Sequence, residues 1–306
     1  MTDTLLSILI LTYNDGKFLQ GCLNSIREHV SSSFEVILVN NGSSEPVPEG
    51  ITDRYPWLRV IQSEENLGFN AGNNLAASTA KGKHILLLNI DTILLTDVTT
   101  AIGLLESDLR IGVVGAKAYC DSGEPRPSAG HFPDAMRLWY FRSLWSRPSD
   151  FYGRKEMQAH RVNWVEGSFL MTTAEHWAAL GGLDDKNFYY GNRVPGKHPE
   201  PLTDVDFCRR TSERGLEVVQ CSGVKYIHFG GFTVSEMGHL YAGFRCYHRK
   251  FSRPLERLMA DIVLRVGLVA RISVYGIWYG VTRNARIRDK FRNFVNVHRN
   301  WARINP

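Results

Sequence analysis

The sequence predicts an α/β fold in which helices cover both faces of a mainly parallel β-sheet. Short apolar runs of strand length alternate with segments of helical periodicity along the first half of the chain. The strand-like runs are almost continuously apolar, which is typical of parallel strands that are buried on both faces. The chain has 306 residues, of which 43% are hydrophobic, and this is enough apolar sequence for the buried core that such a sheet requires.

The elements of the first half follow one another regularly. The apolar run Leu5–Tyr13 has strand length, and Lys17–His29 has apolar residues at helical spacing. Turn residues then end the second strand. The strands predicted in this way are Leu5–Tyr13, Phe34–Val39, Leu58–Gln62, His84–Ile90 and Ile111–Tyr119, and the helices are Lys17–His29, Ala71–Thr79 and Val98–Glu106.

The second half is less regular. Residues 120–160 and 184–202 are polar and rich in proline or glycine, which predicts long surface loops of the kind that usually carry function. Thr203 and Asp206 have the spacing of a capping box, so Thr203 is expected to be the N-cap of its helix. The remaining predicted elements are the strands Val162–Thr172, Leu216–Gln220 and Val224–Phe229 and the helices Ala174–Leu180 and Thr203–Arg214.

The charge is divided unevenly along the chain. The formal net charge is +5, but residues 245–306 carry 14 Lys and Arg against three Asp and Glu, a balance of +11, which leaves −6 on residues 1–244. A uniformly basic nucleic-acid binder is therefore excluded. The asymmetry predicts two parts, a domain over residues 1–245 and a basic, apolar helical tail over residues 246–306.

The tail has features of a membrane-surface segment. Residues 254–282 are apolar, but Arg265 and Arg271 interrupt them, which argues against a membrane span. Residues 283–306 interleave basic and aromatic residues, a pattern that suits an anionic membrane surface. A helical pair that packs on the first domain is the alternative. Five scattered cysteines are typical of a reduced, cytosolic protein, so we expect a cytoplasmic protein that is peripheral at the inner face of the membrane.

Polar clusters follow four of the predicted strands. Ligands bind beyond the carboxyl ends of the strands in an open parallel sheet, so these clusters are candidate binding residues. Turn formation alone would explain any one of them. Four clusters at one edge favour a ligand with hydrogen-bonding groups, such as a base or a sugar. No G-x-G-x-x-G is present, which argues against a dinucleotide site.

Three titratable residues stand out individually. Asp91 interrupts apolar sequence, where a carboxylate is costly unless it is paired or bound to a hard cation, although a turn or helix-cap aspartate is the alternative. Asp204 lies in the first turn of a predicted helix, where the helix dipole favours the ionised form that a general base requires. First-turn acids are also common for dipole reasons alone. His228 ends the last predicted strand, where a histidine is more often structural than a ligand.

Eight short motifs stand in a fixed order between Leu5 and Phe232. They are LTYND (Leu11–Asp15), VNNGS (Val39–Ser43), ENLGFNAGNN (Glu65–Asn74), LLLNIDT (Leu86–Thr92), VNWVEGSFLM (Val162–Met171), GGLDD (Gly181–Asp185), TDVDFCRR (Thr203–Arg210) and YIHFGG (Tyr226–Gly231). In this order they resemble the motifs of the family 2 inverting glycosyltransferases, in particular the rhamnosyltransferase-like branch. The resemblance implies a GT-A fold and the transfer of a sugar, with rhamnose as one candidate, from a nucleoside-diphosphate sugar to a hydroxyl of a glycan or lipid-linked acceptor in envelope polysaccharide synthesis.

The resemblance also implies roles for single residues. Asp204 would be the catalytic base, and Asp91 would hold Mg²⁺ or Mn²⁺ on the diphosphate, with His228 as a further ligand. The implied nucleotide-sugar-binding residues are Thr12, Tyr13, Asn14, Asn40, Asn41, Gly68, Asn70, Asn73, Asn89 and Asp91, and those on the acceptor side are Trp164, Glu166 and Gly167. No nucleic-acid partner is expected, and a homo-oligomer is left open.

The chain departs from the family pattern at several positions. Asn40 stands where an aspartate usually contacts the base, and Thr203 stands where a glutamate usually precedes the catalytic aspartate. Only the last carboxylate of a D-x-D is present, at Asp91. An insertion over residues 191–202 makes Asp185 or Glu200 a fallback candidate for the base. The alternative function is that of a non-catalytic, membrane-attached nucleotide-sugar-binding protein.

Overall fold

The computed structural model describes residues 4–135, 138, 159–186, 202–230 and 237–301. The chain divides into two compact units. The first comprises Met1–Phe132, Phe151–Asp185 and Thr203–Gly231, and the second comprises Pro133–Asp150, Lys186–Leu202 and Phe232–Pro306. The boundary expected from charge, at residue 245, falls within a helix of the second unit, Met237–Phe251.

Eleven strands lie in the described residues of the first unit. They are β1 (Leu6–Thr12), β2 (Phe34–Asn41), β3 (Leu58–Ser63), β4 (His84–Leu88), β5 (Thr92–Leu94), β6 (Ile111–Tyr119), β7 (Ala129–Gly130), β8 (Ala159–Val162), β9 (Trp164–Val165), β10 (Phe169–Thr173) and β11 (Glu217–His228). Eight of them form one path in the order β3-β2-β1-β4-β10-β6-β11-β5, with β8 paired to β11 beside it. The short strands β7 and β9 form a separate pair.

The helices of this unit cover the sheet. They are α1 (Leu19–His29), α2 (Ile51–Arg54), α3 (Phe69–Ala77), α4 (Thr99–Ser107), α5 (Ala174–Leu180) and α6 (Thr203–Glu213). Alternate residues of the central strands point to opposite faces, as the period of two requires. Ile8 and Leu38 therefore join one buried cluster, while Leu9 and Ile37 join the other. Both faces of β1 and β2 are buried, which explains their unbroken apolar sequence.

The mixed α/β class that was predicted is confirmed, and the strand directions refine it. The pairs β1–β2, β2–β3, β1–β4 and β6–β11 are parallel. Strand β10 enters between β4 and β6 and is antiparallel to both. The parallel block β3-β2-β1-β4 therefore ends at β4, and β10 joins it to the parallel pair β6–β11.

Several local predictions are wrong. The single strand expected over Val162–Thr172 is two strands, β9 and β10, because the chain turns at residues 166–168. The two last strands are one, β11, with an irregularity between Cys221 and Lys225. Strand β5 had not been predicted. Much of the two predicted long loops, including the insertion over residues 191–202, lies outside the described residues.

The capping box is also wrong. Thr203 is the first residue of α6 rather than its cap, and its hydroxyl donates to Oδ1 of Asn70. The Asp206 carboxylate instead accepts a hydrogen bond of 2.8 Å from Nε of Arg210, four residues along the helix. A fully buried carboxylate gains more from a guanidinium partner than from a backbone N–H.

The second unit has a helical core. Its described helices are α7 (Met237–Phe251), α8 (Pro254–Thr282) and α9 (Ala285–Arg299). Tyr241 of α7, Leu264 and Leu268 of α8, and Phe294 of α9 meet in one buried cluster. Within the described part of the chain, no helix has an apolar stretch long enough to cross a bilayer.

Two glycines provide a matched test of how the first unit packs. A Cβ at Gly115 would lie 2.4 Å from Cβ of Val165, whereas a Cβ at Gly103, on the exposed face of α4, would meet nothing within 4 Å. Gly115→Ala is therefore expected to lower the free energy of unfolding by about 1–3 kcal/mol. Gly103→Ala should raise it by about 0.5–1 kcal/mol. Urea denaturation of the two variants checks this, and equal effects would contradict the packing described.

Candidate functional site

The turn between β4 and β5 places Asp91 beside the end of β11. The backbone N–H of Asn89 donates to the carbonyl of Ser168 at 3.1 Å, and the Thr92 hydroxyl donates to the carbonyl of Asn89 at 2.6 Å. The carbonyl of Asp91 in turn accepts from the N–H of Phe229 at 3.0 Å. Backbone bonds therefore fix the turn that carries Asp91 on both sides.

Asp91, His228 and Glu166 form a chain of three titratable side chains. Nε2 of His228 lies 3.4 Å from Oδ1 of Asp91, and Nδ1 of the same ring lies 3.3 Å from Oε1 of Glu166. The imidazole is 8% exposed, and the two carboxylates are 20% and 21% exposed. The buried histidine therefore lies between two carboxylates that are both partly accessible to solvent.

Arg126 contacts both Glu166 and the backbone at His228. Nη2 lies 3.1 Å from Oε1 of Glu166, and Nη1 donates to the carbonyls of His228, at 3.2 Å, and of Gly230. One guanidinium thus holds both the acid and the backbone that carries the histidine. A rigid fork of donors is suited to such simultaneous contacts.

The charges of the group shift one another's pKa values. Burial lowers the pKa of His228, but the neighbouring Asp91 and Glu166 raise it by more, to about 9. Burial raises the pKa of both carboxyls, yet His228 and Arg126 lower it by more, so each pKa lies below its ordinary value. Burial also raises the pKa of Tyr226 well above its ordinary value, so its phenol stays protonated and donates to Glu166 at 3.3 Å. With no metal ion bound, the group therefore holds two carboxylates and two cations at neutral pH. A metal ion at Nε2 of His228 would take the place of the proton on that nitrogen.

Asp204 lies next to this group, at the start of α6. Its Oδ2 accepts from the N–H of Gly167 at 3.0 Å, and its Oδ1 accepts from the N–H of Val205 at 2.8 Å. Burial raises the pKa of Asp204 to about 6, with a contribution from the charge of Glu166, against the lowering effect of those two N–H groups. A half-buried carboxylate with this pKa is ionised at pH 7 and still basic enough to accept a proton.

The turn over residues 166–168 explains why these groups meet. It interrupts what would otherwise be one strand, so Glu166 faces His228 while the N–H of Gly167 faces Asp204. A Cβ at residue 167 would lie 3.6 Å from Cβ of Asp204, which is an ordinary van der Waals contact. The predicted acceptor-side pair Glu166 and Gly167 thus joins the predicted base to the predicted metal ligands.

The residues at Asp91 and His228 fit a divalent cation. A Cβ at Gly230 would lie 2.2 Å from Oδ2 of Asp91 and 3.0 Å from Nε2 of His228, so the missing side chain keeps that face of both donors open. The 3.4 Å between Nε2 and Oδ1 is close to the roughly 3 Å that separates neighbouring ligands of an octahedral ion. Glu166 beside Nδ1 is the carboxylate partner that metal-binding histidines commonly have. Among the described residues no group of three or more such side chains could hold an ion alone, so substrate oxygens would have to complete the shell.

The amides predicted to contact a nucleotide have partners within the protein. The Asn40 side chain donates to Gln62 at 3.0 Å, and the Asn41 side chain donates to Asn66 at 3.0 Å and accepts from the N–H of Leu67 at 2.9 Å. These bonds tie the end of β2 to the end of β3 and to the loop that follows it. Direct base contact by Asn40 and Asn41 stays a prediction, and their observed effect is to shape the edge of the sheet.

The other predicted binding residues also lie at this edge. Asn14, with a φ of 56°, accepts from the N–H of Ser44 at 2.9 Å, and Asn73 donates to the carbonyl of Phe69 at 2.8 Å. Asn70 is buried and donates to the carbonyl of Asp184 at 2.8 Å. Thr12 ends β1, Tyr13 follows it, and Gly68 precedes α3 with a φ of 83°, which favours glycine.

Three further predicted residues are Trp164 and the two fallback bases. Trp164 packs against Gly130, and its Nε1 donates to the carbonyl of His131 at 2.9 Å. Glu200, one fallback base, lies outside the described residues, whereas Asp185, the other, is half-buried near the end of its segment.

The sequence reasoning missed Arg126. It stands between two prolines in a segment that was predicted only as a surface loop, and no spacing rule connects it with residue 166 or 228. The one sequence feature that could have drawn attention to Arg126 is its position between Pro125 and Pro127, shortly after the fifth predicted strand. That pattern indicates a rigid position for the cation but not its partner.

The chain matches a known family and several known proteins. A family model described as "Glycosyl transferase family 2" matches residues 7–165, more than half of the chain. The chain is 24% identical over 248 residues to N-acetylglucosaminyl-diphospho-decaprenol L-rhamnosyltransferase of Mycobacterium tuberculosis, covering 74% of this chain and 76% of the relative.

Solved structures share the fold. A mannosyltransferase from Pyrobaculum calidifontis in complex with GDP-Man and Mn²⁺ superposes with a TM-score of 0.57 at 14% identity, covering 95% of this chain and 84% of the other. GalNAc-T7 with UDP, GalNAc and Mn²⁺ gives a TM-score of 0.58 at 14% identity. That match covers 80% of this chain and 48% of the GalNAc-T7 chain.

Proposed function

Because the chain belongs to glycosyl transferase family 2, we propose that it moves a sugar from a nucleoside-diphosphate donor to a hydroxyl group. The acceptor is a glycan or a lipid-linked glycan precursor, and the configuration at the anomeric carbon is inverted. Similarity to the mycobacterial rhamnosyltransferase supports a role in envelope polysaccharide synthesis. The observation that carries the proposal is the placement of Asp204 beside the Asp91–His228–Glu166 group through the N–H of Gly167.

Asp204 is the proposed base. Its carboxylate, with a pKa of about 6, is ionised at neutral pH and accepts the proton of the acceptor hydroxyl as that oxygen attacks the anomeric carbon. The N–H groups of Gly167 and Val205 fix both carboxylate oxygens, so the base is aimed before the acceptor arrives. Attack opposite the leaving diphosphate inverts the configuration in one displacement.

Asp91 and His228 are the proposed ligands of Mg²⁺ or Mn²⁺. When bound, such a cation neutralises the charge that develops on the departing diphosphate. Two structural neighbours that were crystallised with Mn²⁺ support this assignment. Glu166 and Arg126 hold the imidazole and its backbone in place, which keeps Nε2 directed toward Asp91.

A donor panel tests the proposal. We expect one nucleoside-diphosphate sugar, in the presence of Mn²⁺, to raise the melting temperature by several degrees, since a ligand at 100 times its Kd adds about 2.7 kcal/mol. The same donor should be slowly hydrolysed to water when no acceptor is present. Thermal shift and release of the nucleoside diphosphate are measured on the full chain.

The same donor panel also distinguishes the proposed enzyme from the alternative, a binding protein without catalytic activity. Binding of a donor with neither hydrolysis nor transfer to any glycan or lipid-linked acceptor would support the non-catalytic nucleotide-sugar-binding protein. Absence of binding by every donor, with and without Mn²⁺, would contradict both functions.

A further inference from the structure

Helix α8 is apolar on two opposite faces, and the described residues bury one of them. Ala260, Leu264 and Leu268 are buried in the core of the second unit. At 100° per residue a second apolar arc lies opposite, about 100° wide. We call it the docking face, and it consists of Leu255, Leu258, Met259, Ile262, Val266 and Val269, which are between 46% and 69% exposed.

This exposure is unusual for a water-soluble surface. Single exposed apolar side chains are ordinary, but a contiguous stripe of six along one helix marks an interaction site. At 1.5 Å per residue, residues 255–269 extend for about 20 Å. Ile277, which is 70% exposed, lies in the same arc toward the end of the helix.

A basic cavity of about 360 Å³ adjoins the docking face between α7 and α8. Arg245, Arg249 and Arg257 line it together with His248, and Asp261 is the one carboxylate among the described residues of its wall. Nε of Arg245 lies 3.0 Å from Asp261, whose other oxygen lies 3.2 Å from Nε of Arg265 outside the cavity. Among the described residues of the wall, three arginines stand against one carboxylate, so their formal charges have a positive sum.

Leu258 connects the two features. It lines the basic cavity and is also a member of the docking face, where it is 57% exposed. A cavity for an anion therefore opens directly at the edge of an apolar surface. A phospholipid presents the same pair of chemical groups, with a phosphate directly above acyl chains.

We propose that the docking face of α8 lies on an anionic lipid surface and that lipid phosphates enter the adjoining basic cavity. Residues 245–306 carry 14 basic side chains against three acidic ones, so an anionic membrane complements their charge. A second copy of the chain does not, since it would bring a second segment of +11 against the first. This surface is independent of the glycosyl transfer proposed above and involves none of its residues.

Vesicle sedimentation with the full chain tests the proposal, with neither donor nor acceptor present. We expect the protein to sediment with vesicles of phosphatidylcholine and phosphatidylglycerol, weakly with phosphatidylcholine alone, and less at high salt. The double variant Leu258→Asp, Ile262→Asp should lower the partition coefficient about tenfold or more, because both side chains lose their apolar contact with lipid. Arg249→Glu combined with Arg257→Glu should reduce binding to the anionic vesicles.

Leu109→Asp is the matched control. Leu109 is 88% exposed, lies in the first unit and is outside the docking face, so this variant should bind vesicles as the wild type does. Wild-type protein that ignores anionic vesicles, or an α8 double variant that binds them normally, would overturn the proposal. The same holds if light scattering shows a dimer that the α8 variant disrupts while vesicles are not bound. Stabilisation by inorganic phosphate without vesicle binding would assign the cavity to a free anion and overturn it as well.

Discussion

Replacing Asp204 with asparagine is expected to lower kcat for sugar transfer by about 10²–10⁴-fold, while the Kd of the donor stays within about twofold. The amide keeps the size of the carboxylate and can still accept from one of the two N–H groups that hold it. It cannot accept a proton from the acceptor hydroxyl. Steady-state transfer assays give kcat, and titration calorimetry gives the Kd of the donor.

The pH dependence distinguishes a base from a residue that merely holds the fold. With a pKa of about 6 for Asp204, wild-type kcat/KM should rise about tenfold per unit below that pH and level off above it. The folded-state pKa is raised, so ionisation destabilises the fold as the pH rises from the ordinary carboxyl value through 6. Relative to the wild type, the unfolding free energy of D204N should therefore increase by about 1–2 kcal/mol between pH 4 and pH 8, allowing for partial exposure.

Asp185→Asn is the control for this assignment. Asp185 is the described fallback base, and its substitution should leave kcat within about twofold if Asp204 accepts the proton. A D204N enzyme with near-normal transfer, or a D185N enzyme with the large loss, would remove Asp204 from the mechanism.

Asp91→Ala is expected to reduce transfer about 100-fold or more and to weaken donor binding in Mn²⁺ about tenfold or more. Asp91 supplies the exposed carboxylate of the pair with His228, and the alanine leaves a single imidazole donor. One donor does not select a hard cation that prefers oxygen ligands. Chelation with EDTA should reproduce the loss in the wild type, and added Mn²⁺ should restore it.

Direct observation of Mn²⁺ separates metal binding from damage to the site. Electron paramagnetic resonance should show that the wild type binds Mn²⁺ in the presence of a nucleoside diphosphate and that the Asp91→Ala variant does not. Asp97→Asn serves as the control, because Asp97 is not part of the proposed metal site and accepts from the N–H of Thr99, which the amide oxygen of an asparagine can also do. Full activity of the wild type in EDTA would refute the metal assignment.

The sequence predicted the regular half of the fold well because each element there is specified locally. Strands β1 to β4 are bounded by turn residues, and their apolar runs leave little choice of period. The break at residues 166–168 could not be predicted, since it depends on side chains from β11 and α6 that lie far away in the chain. Nor could the role of Thr203, whose local spacing indicates a cap while its hydroxyl bonds to Asn70.

The sequence predicted the acidic residues of the candidate site but not the contacts between them and the other residues of the site. Asp91 and Asp204 stand out because a carboxylate in apolar sequence or at a helix start calls for an explanation. That Glu166 faces His228, and that Arg126 holds both, depends on tertiary contacts that no spacing encodes. The asparagines illustrate the converse. Their position after the strands was informative, but the structure uses their side chains to join loops.

The antiparallel strand β10 sets an order for folding during synthesis. Strands β1 to β4 can pair as soon as they leave the ribosome, but β4 ends at Leu88 and its second neighbour begins only at Phe169. Until then the nascent chain exposes a hydrophobic strand edge, which is a template for pairing with other chains. Slow translation or premature termination between these two residues would prolong this vulnerable interval. The chain is therefore expected to depend on chaperones while it is synthesised rather than after its release.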